Sequence, residues 1–310
     1  GTLTGVRTLV LGASGFIGRW CADQLAAAGA EIVTAARTTP SDATGVIAFD
    51  ASRPGEAAEL IARTRPHFVV NAVGYGVGRQ ERQEEMLQRL NADFPEEVAE
   101  ALAGTDELPA WPGPRLLHLG SAFEYGSVAG AVSEETPCRP GSAYARTKLE
   151  GTRRVSAVAA RTGLRATTVR VATVYGPGEH PHRLLPSLIR TVQTGETLEL
   201  TAGEQERDFT YVGDVAHGLV RLAMTTDPLP PVLNLATGRL HTVRAFAEAA
   251  MRELGIPGDR VIFGAIPYRD DEVRQGPIVV DRLRAAVDWV PGMTLAEGIR
   301  KTVDQLRERP

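Results

Sequence analysis

The sequence predicts an α/β fold: a doubly wound, mostly parallel sheet flanked by helices, with a smaller C-terminal lobe. Three observations carry this reading. Short β-branched and apolar runs alternate with helix-length amphipathic stretches through the first half of the chain. The first of those runs is followed at once by glycines, and the alternation fades after Val174, where Pro and Gly become frequent. Strands that alternate with helices imply βαβ units with right-handed crossovers.

In chain order, residues 8–11 read as the first strand, and residues 16–28 as a helix that Gly29 stops. Residues 31–36, 46–49 and 68–72 follow as strands, with helical patterns at 56–64 and 81–92. Residues 116–119 and 166–171 read as the fifth and sixth strands. Later come a helix at 184–194, an apolar strand at 232–235 and a helix at 243–254. The predicted division is one domain over residues 1–173, to which 208–240 returns, and a second lobe from 174–207 and 241–310.

Composition narrows the function classes. The chain has 310 residues, 43% of them hydrophobic, which suits a globular protein with a substantial core and not a disordered one. A formal net charge of −4 disfavours a nucleic-acid partner. No apolar run reaches membrane-span length, and no charged-then-apolar leader opens the chain, so no membrane partner and a cytoplasmic location are expected. Cys21, in an apolar helical pattern, and Cys138, in a Pro-rich loop, read as free thiols. His180 and His182 lie two apart with no Cys, Asp or Glu completing a familiar ligand set, so no metal is expected.

Gly12-Ala13-Ser14-Gly15-Phe16-Ile17-Gly18 joins the first strand to the first helix. Glycines there permit a tight turn and let backbone N–H groups approach a pyrophosphate, which the helix N-terminus also favours. The turn predicts a Rossmann-type, cofactor-binding domain in which Gly12, Ser14, Gly15, Phe16, Ile17 and Gly18 cradle a dinucleotide. An NAD site usually ends its second strand on an acid; here the run is Thr34-Ala35-Ala36-Arg37, and Arg37 suits a 2′-phosphate. NADP(H) is therefore favoured over NAD(H). Asp50, ending the third strand, is a candidate for the adenine amino group or a plain turn residue.

Tyr144 and Lys148 stand four apart in a predicted helix, behind the break and N-cap of Pro140-Gly141-Ser142. A lysine on the same face can lower a tyrosine pKa, and a tyrosine so tuned can exchange a proton with a substrate oxygen. A partly buried Tyr above a snorkelling Lys is the plain structural alternative.

Taken in order, the motifs resemble those of the extended short-chain dehydrogenase/reductases, especially nucleotide-sugar epimerases, dehydratases and ketoreductases. They run from the Gly12 turn through Asn71-Ala72-Val73-Gly74, Asn91, Ser121-Ala122-Phe123-Glu124-Tyr125-Gly126 and Tyr144…Lys148. They continue through Arg170…Tyr175-Gly176-Pro177, Arg207-Asp208-Phe209, Asp214 and Asp288-Trp289-Val290-Pro291. The resemblance implies that Tyr144 is the general acid/base, that Lys148 holds the nicotinamide ribose, and that Ser121 hydrogen-bonds the reacting oxygen. It also implies that Asn91 supports the Lys148 proton path, that Ala72 lines the cofactor site, and that Phe123, Thr173, Arg183 and Arg207 face the substrate. Arg269 is a weaker candidate.

The 4,6-dehydratases of that family carry Asp-Glu where this chain has Ala122-Phe123, side chains that transfer no proton; Glu124 reads as structural or substrate-adjacent. The resemblance then leaves an NADPH-dependent ketoreductase of a nucleotide-linked 4-keto-6-deoxyhexose as the first expectation. A 4-epimerase with tightly held cofactor is the second. Thr173 stands where relatives often have Asn, so a ketoreductase of a polyketide-type substrate stays open, as does a non-catalytic NADP(H)-binding regulator. Relatives often dimerise through two helices per subunit, which would make residues 81–103 and 144–161 a homodimer face.

Overall fold

In a computed structural model, residues 2–37, 46–77, 80–105 and 111–307 are described. The first half comprises β1 (Arg7–Leu11), α1 (Phe16–Ala27), β2 (Glu31–Ala36), β3 (Ile47–Ala48), α2 (Glu56–Thr64) and β4 (Phe68–Asn71). Next come α3 (Glu84–Gln88), a π-helical turn (Arg89–Asp93), α4 (Phe94–Ala103), β5 (Leu116–Ser121), a 3₁₀ turn (Ala122–Tyr125), α5 (Ala143–Thr162) and β6 (Ala166–Val171). The second half contains β7 (Thr173–Tyr175), α6 (Leu184–Thr194), β8 (Leu198–Leu200), β9 (Glu206–Arg207), β10 (Phe209–Tyr211), α7 (Val212–Ala223) and β11 (Val232–Leu235). It closes with β12 (His241–Thr242), α8 (Val243–Leu254), β13 (Val261–Phe263), α9 (Asp281–Val287) and α10 (Leu295–Arg307).

Seven strands form one parallel sheet in the order β11-β6-β5-β4-β1-β2-β3. Every residue of β4, β5 and β6 is buried, as befits parallel strands covered on both faces. Alternation along each strand sends side chains to two cores. Val10, Leu117 and Leu119 meet Cys21 and Leu25 of α1 and Val215 and Leu219 of α7. Leu9, Leu11, Val69 and Leu116 meet Ile61 of α2, Val98 and Leu102 of α4, and Val155 and Val158 of α5. The strand order reverses between β1 and β4, and the crevice beyond the strand ends there is where open α/β sheets bind ligands.

The elements match the sequence reading in kind and differ at their ends. β5 runs two residues beyond its predicted end, to Ser121, because β6 pairs with it along its full length. β3, paired only with β2, keeps just Ile47 and Ala48. The helix predicted over 81–92 starts at Glu84 and passes through the π turn before continuing as α4. The wider turn holds Asn91, and α5 approaches it closely: a Cβ on Gly151 would lie 2.0 Å from the Asn91 carbonyl oxygen. π turns of this kind concentrate at functional sites.

Candidate active site

The strand ends at the switch point carry the glycine turn. Gly12 sits at φ +82°, and a Cβ there would lie 3.0 Å from the Ala72 backbone. A Cβ on Gly18 would lie 2.1 Å from the Gly12 carbonyl oxygen, so helix and turn close onto each other only with glycine at both places. α1 starts at Gly15 with no side-chain cap, leaving its first N–H groups for an anion. Ser14 and Gly15 are exposed at the lip, Phe16 and Ile17 half-buried behind it, and Ala72 half-buried beneath. This cradle fits the diphosphate of a dinucleotide.

Arg37, just past β2, is exposed, and its charge reaches Asp50. Burial pushes the Asp50 carboxyl up, but hydrogen bonds from Ser52 and the charges of Arg37 and Arg53 outweigh it and hold the group below its ordinary value. Asp50 Oδ1 accepts from both the Ser52 N–H (3.0 Å) and the Ser52 hydroxyl (2.7 Å), which closes the turn after β3.

Ser121, Tyr144 and Lys148 converge at the end of β5. The Ser121 side chain caps the 3₁₀ turn, accepting from the Phe123 N–H at 3.2 Å, and hydrogen-bonds Tyr144. Tyr144 and Lys148 lie one turn apart on α5, which Ser142 caps through the Ala145 N–H at 3.1 Å. Lys148 is buried and donates to the Leu119 carbonyl at 2.5 Å; burial pulls its ammonium down to about 8, against a raising effect of Glu124. Burial pushes the Tyr144 phenol up, while the Ser121 hydrogen bond and the Arg183 charge pull it back. Desolvation is the largest influence on Tyr144, and one of the three Lys148 N–H donors is directed to the Leu119 carbonyl.

Asn91 serves as a clamp. Its amide accepts from the Tyr75 N–H (2.9 Å) and donates to the Tyr75 carbonyl (2.8 Å) and the Thr147 hydroxyl (3.0 Å). It thereby fastens the loop after β4 to α5 at Thr147, within the turn between Tyr144 and Lys148. That loop braces the tyrosine, since a Cβ on Gly76 would come within 3.0 Å of the Tyr144 ring.

On the substrate side, Arg183 heads α6 and pairs with Glu179 at 3.2 Å, close enough to act on both Tyr144 and Arg207. Arg207 is buried 5.6 Å over the Phe123 ring and donates to the carbonyls of Glu206 (2.7 Å) and Val273 (2.8 Å) and to Glu272. The Thr173 hydroxyl is buried with no partner among the described residues, and its N–H donates to the Asp208 carbonyl at 2.9 Å. Arg269 is exposed in the loop that carries Glu272.

Three participants were missed by sequence reasoning. His118, fully buried on β5, lies within reach of the Lys148 charge; Glu179 is a buried carboxyl that desolvation raises to about 7; Glu272 occupies Arg207. Only His118 had a signal, as the one polar residue inside the apolar run 116–119. Among the described residues no cluster of His, Cys, Asp or Glu could hold a metal, and no helix is long and apolar enough to cross a membrane.

A sequence profile described as "NAD dependent epimerase/dehydratase family" matches residues 8–236. A dTDP-6-deoxy-L-talose 4-dehydrogenase (NAD(P)(+)) of Kitasatospora kifunensis is 32% identical over 307 residues, covering 95% of this chain and 94% of that protein. A UDP-glucose 4-epimerase of Mycolicibacterium smegmatis (strain ATCC 700084 / mc(2)155) is 27% identical, covering 98% and 99%. Among solved structures, MoeE5 in complex with UDP-glucuronic acid and NAD superposes with a TM-score of 0.86 at 27% identity, covering 98% of this chain and 100% of that one.

Proposed function

The chain belongs to the NAD dependent epimerase/dehydratase family and is an enzyme of the extended short-chain dehydrogenase/reductase type; from that premise we propose a ketoreductase of a nucleotide-linked 4-keto-6-deoxyhexose that prefers NADPH. The observation that carries this is the meeting of Ser121, Tyr144 and Lys148 beside two arginines, Arg183 and Arg207. A nicotinamide cofactor held by the Gly12 cradle, Ala72 and Lys148 would supply the hydride. Tyr144, kept protonated by its buried setting, gives its proton to the developing alkoxide, and Ser121 stabilises the charge on that oxygen. Lys148 places a positive charge below the phenol and offsets the charge the proton leaves behind. Arg183 and Arg207 receive the diphosphate, with Arg207 exchanging Glu272 for the substrate. Ala122 and Phe123 leave no carboxylate for an elimination step.

NADPH preference rests on Arg37 and on the lack of an acid at the end of β2. Reduction at C4 is supported by the 4-dehydrogenase relative, which covers nearly the whole chain. A second reading, a nucleotide-sugar 4-epimerase, is favoured by the full-length likeness to a UDP-glucose 4-epimerase. The test follows nicotinamide absorbance when NADPH or NADH is mixed with a dTDP-4-keto-6-deoxyhexose. Stoichiometric oxidation with a new hydroxysugar is the expected result; an inverted sugar centre without net oxidation would favour the epimerase. Tyr144→Phe should lower turnover at least about a hundredfold while cofactor binding persists; unchanged turnover would remove Tyr144 as the acid.

A further inference from the structure

Glu124 lies in the 3₁₀ turn after β5 and is fully buried. Its Oε1 accepts from the Ser121 N–H at 2.8 Å, and its Oε2 accepts from the Thr152 hydroxyl at 2.9 Å and from Arg170 Nε at 2.8 Å. Those donors belong to β5, α5 and β6, which meet only in the folded chain. The space is shaped for the carboxylate, since a Cβ on Gly120 would lie 2.8 Å from its Oε1. We propose that Glu124 is a positioning residue: it fastens Ser121 to the helix that carries Tyr144 and Lys148, and it places a buried carboxylate one helical turn from the Lys148 ammonium. This rests on the reading of Ser121, Tyr144 and Lys148 as the reacting group.

A carboxylate this deep needs a counter-charge, which Arg170 supplies, itself 4.5 Å over the Tyr125 ring and 3.3 Å from Cys138 Sγ. Neutralising Arg170 is nevertheless not the whole role. Thr152 is one helical turn beyond Lys148 on the same face of α5, so the anion is anchored one turn along the helix from the lysine. The acceptor of Lys148 is a neutral carbonyl, and the charged side chain that supports its ammonium is Glu124. His118, facing Lys148 from β5, offers no such support. Asn71 Oδ1 accepts from the Val73 N–H at 3.1 Å, so its amide nitrogen donates to His118 Nδ1 at 3.3 Å. The neutral imidazole then carries its proton on Nε2 and has no lone pair left for an ammonium. Tyr144, on the lysine's own helix, is held as the neutral phenol.

Lys148 and Lys301 are the only lysines in the chain, so protein labelled with ¹³C at lysine Cε gives two resonances, assigned with the exposed-site variant Lys301→Arg. The titration midpoint of Lys148 is then read in the ligand-free protein. Glu124→Gln strands Arg170 without a counter-charge, so the deciding variant is the double Glu124→Gln/Arg170→Met, which removes both buried charges, with Glu124→Asp as the charge-retaining control. The expected result is a Lys148 midpoint lower by about one pH unit in the double variant and near wild type in Glu124→Asp. At pH 8 the charged fraction, and kcat with it, would fall about fivefold. A folded double variant whose Lys148 titrates as in the wild type overturns the proposal and leaves Glu124 as the partner of Arg170 alone. The resonance is read without substrate, so inactivity toward nucleotide sugars would sink the substrate reading and leave this one standing.

Discussion

Lys148→Met should make the protein more stable while abolishing its activity. The lysine is 4% exposed, and its ammonium falls from the ordinary 10.5 to about 8 because burial strips its water. At about 1.4 kcal/mol per pH unit, the folded state bears a penalty of roughly 3 kcal/mol for keeping that charge. Methionine has similar length and carries no charge. Against the gain stands the lost hydrogen bond to Leu119, worth about 1.5 kcal/mol, so the net stabilisation at neutral pH is on the order of 1–2 kcal/mol. The sign with pH follows from the direction of the shift. The folded pKa lies below the unfolded one, so the wild-type penalty is complete below pH 8 and disappears as the pH rises toward 10.5. Urea unfolding of wild type and Lys148→Met at pH 7 and at pH 10 measures both effects, because the other titrating groups are common to the two proteins. A higher midpoint for the variant at pH 7 that shrinks or reverses at pH 10 is expected. A variant less stable than wild type at pH 7, or a difference indifferent to pH, would refute the reasoning.

Other outcomes follow from the same geometry. Gly18→Ala drives a Cβ into the Gly12 carbonyl, so dinucleotide binding measured by fluorescence titration should be lost, with destabilisation of about 1–3 kcal/mol in thermal unfolding. Arg37→Glu removes the phosphate partner and adds a ribose acceptor, so the ratio of kcat/KM for NADPH over NADH should fall by about a hundredfold or more. Glu179 is raised from 4.5 to about 7, so its ionisation destabilises the fold as pH rises from 4.5 through 7. Glu179→Gln should therefore raise the melting temperature at pH 8 and lose that advantage by pH 4.5.

Much of the site was legible because its signals are local. The Gly12 turn needs only three glycines between a strand and a helix, and Tyr144 and Lys148 share a face because they are four residues apart on a helix. The strands were found by apolar runs that a buried parallel sheet demands. Less legible was the π turn at Asn91, which Gly151 approaches closely from another helix. Equally hidden was Glu272, which meets Arg207 across 65 positions of sequence from a loop with two neighbouring acids.

The sequence by itself determined the alternation of strands and helices through the first half, the glycine turn, and the pairing of Tyr144 with Lys148, since each rests on periodicity or spacing within a few residues; Ser121 stood out only through the family resemblance. Only the tertiary structure decided their protonation and their partners. It raised Tyr144 where a neighbouring lysine alone would have lowered it, depressed Lys148, and set Glu124 between three elements. The physical reason is that a pKa and a buried ion pair are set by desolvation and by charges brought together from distant parts of the chain, and neither exists until the sheet and α5 have closed over them.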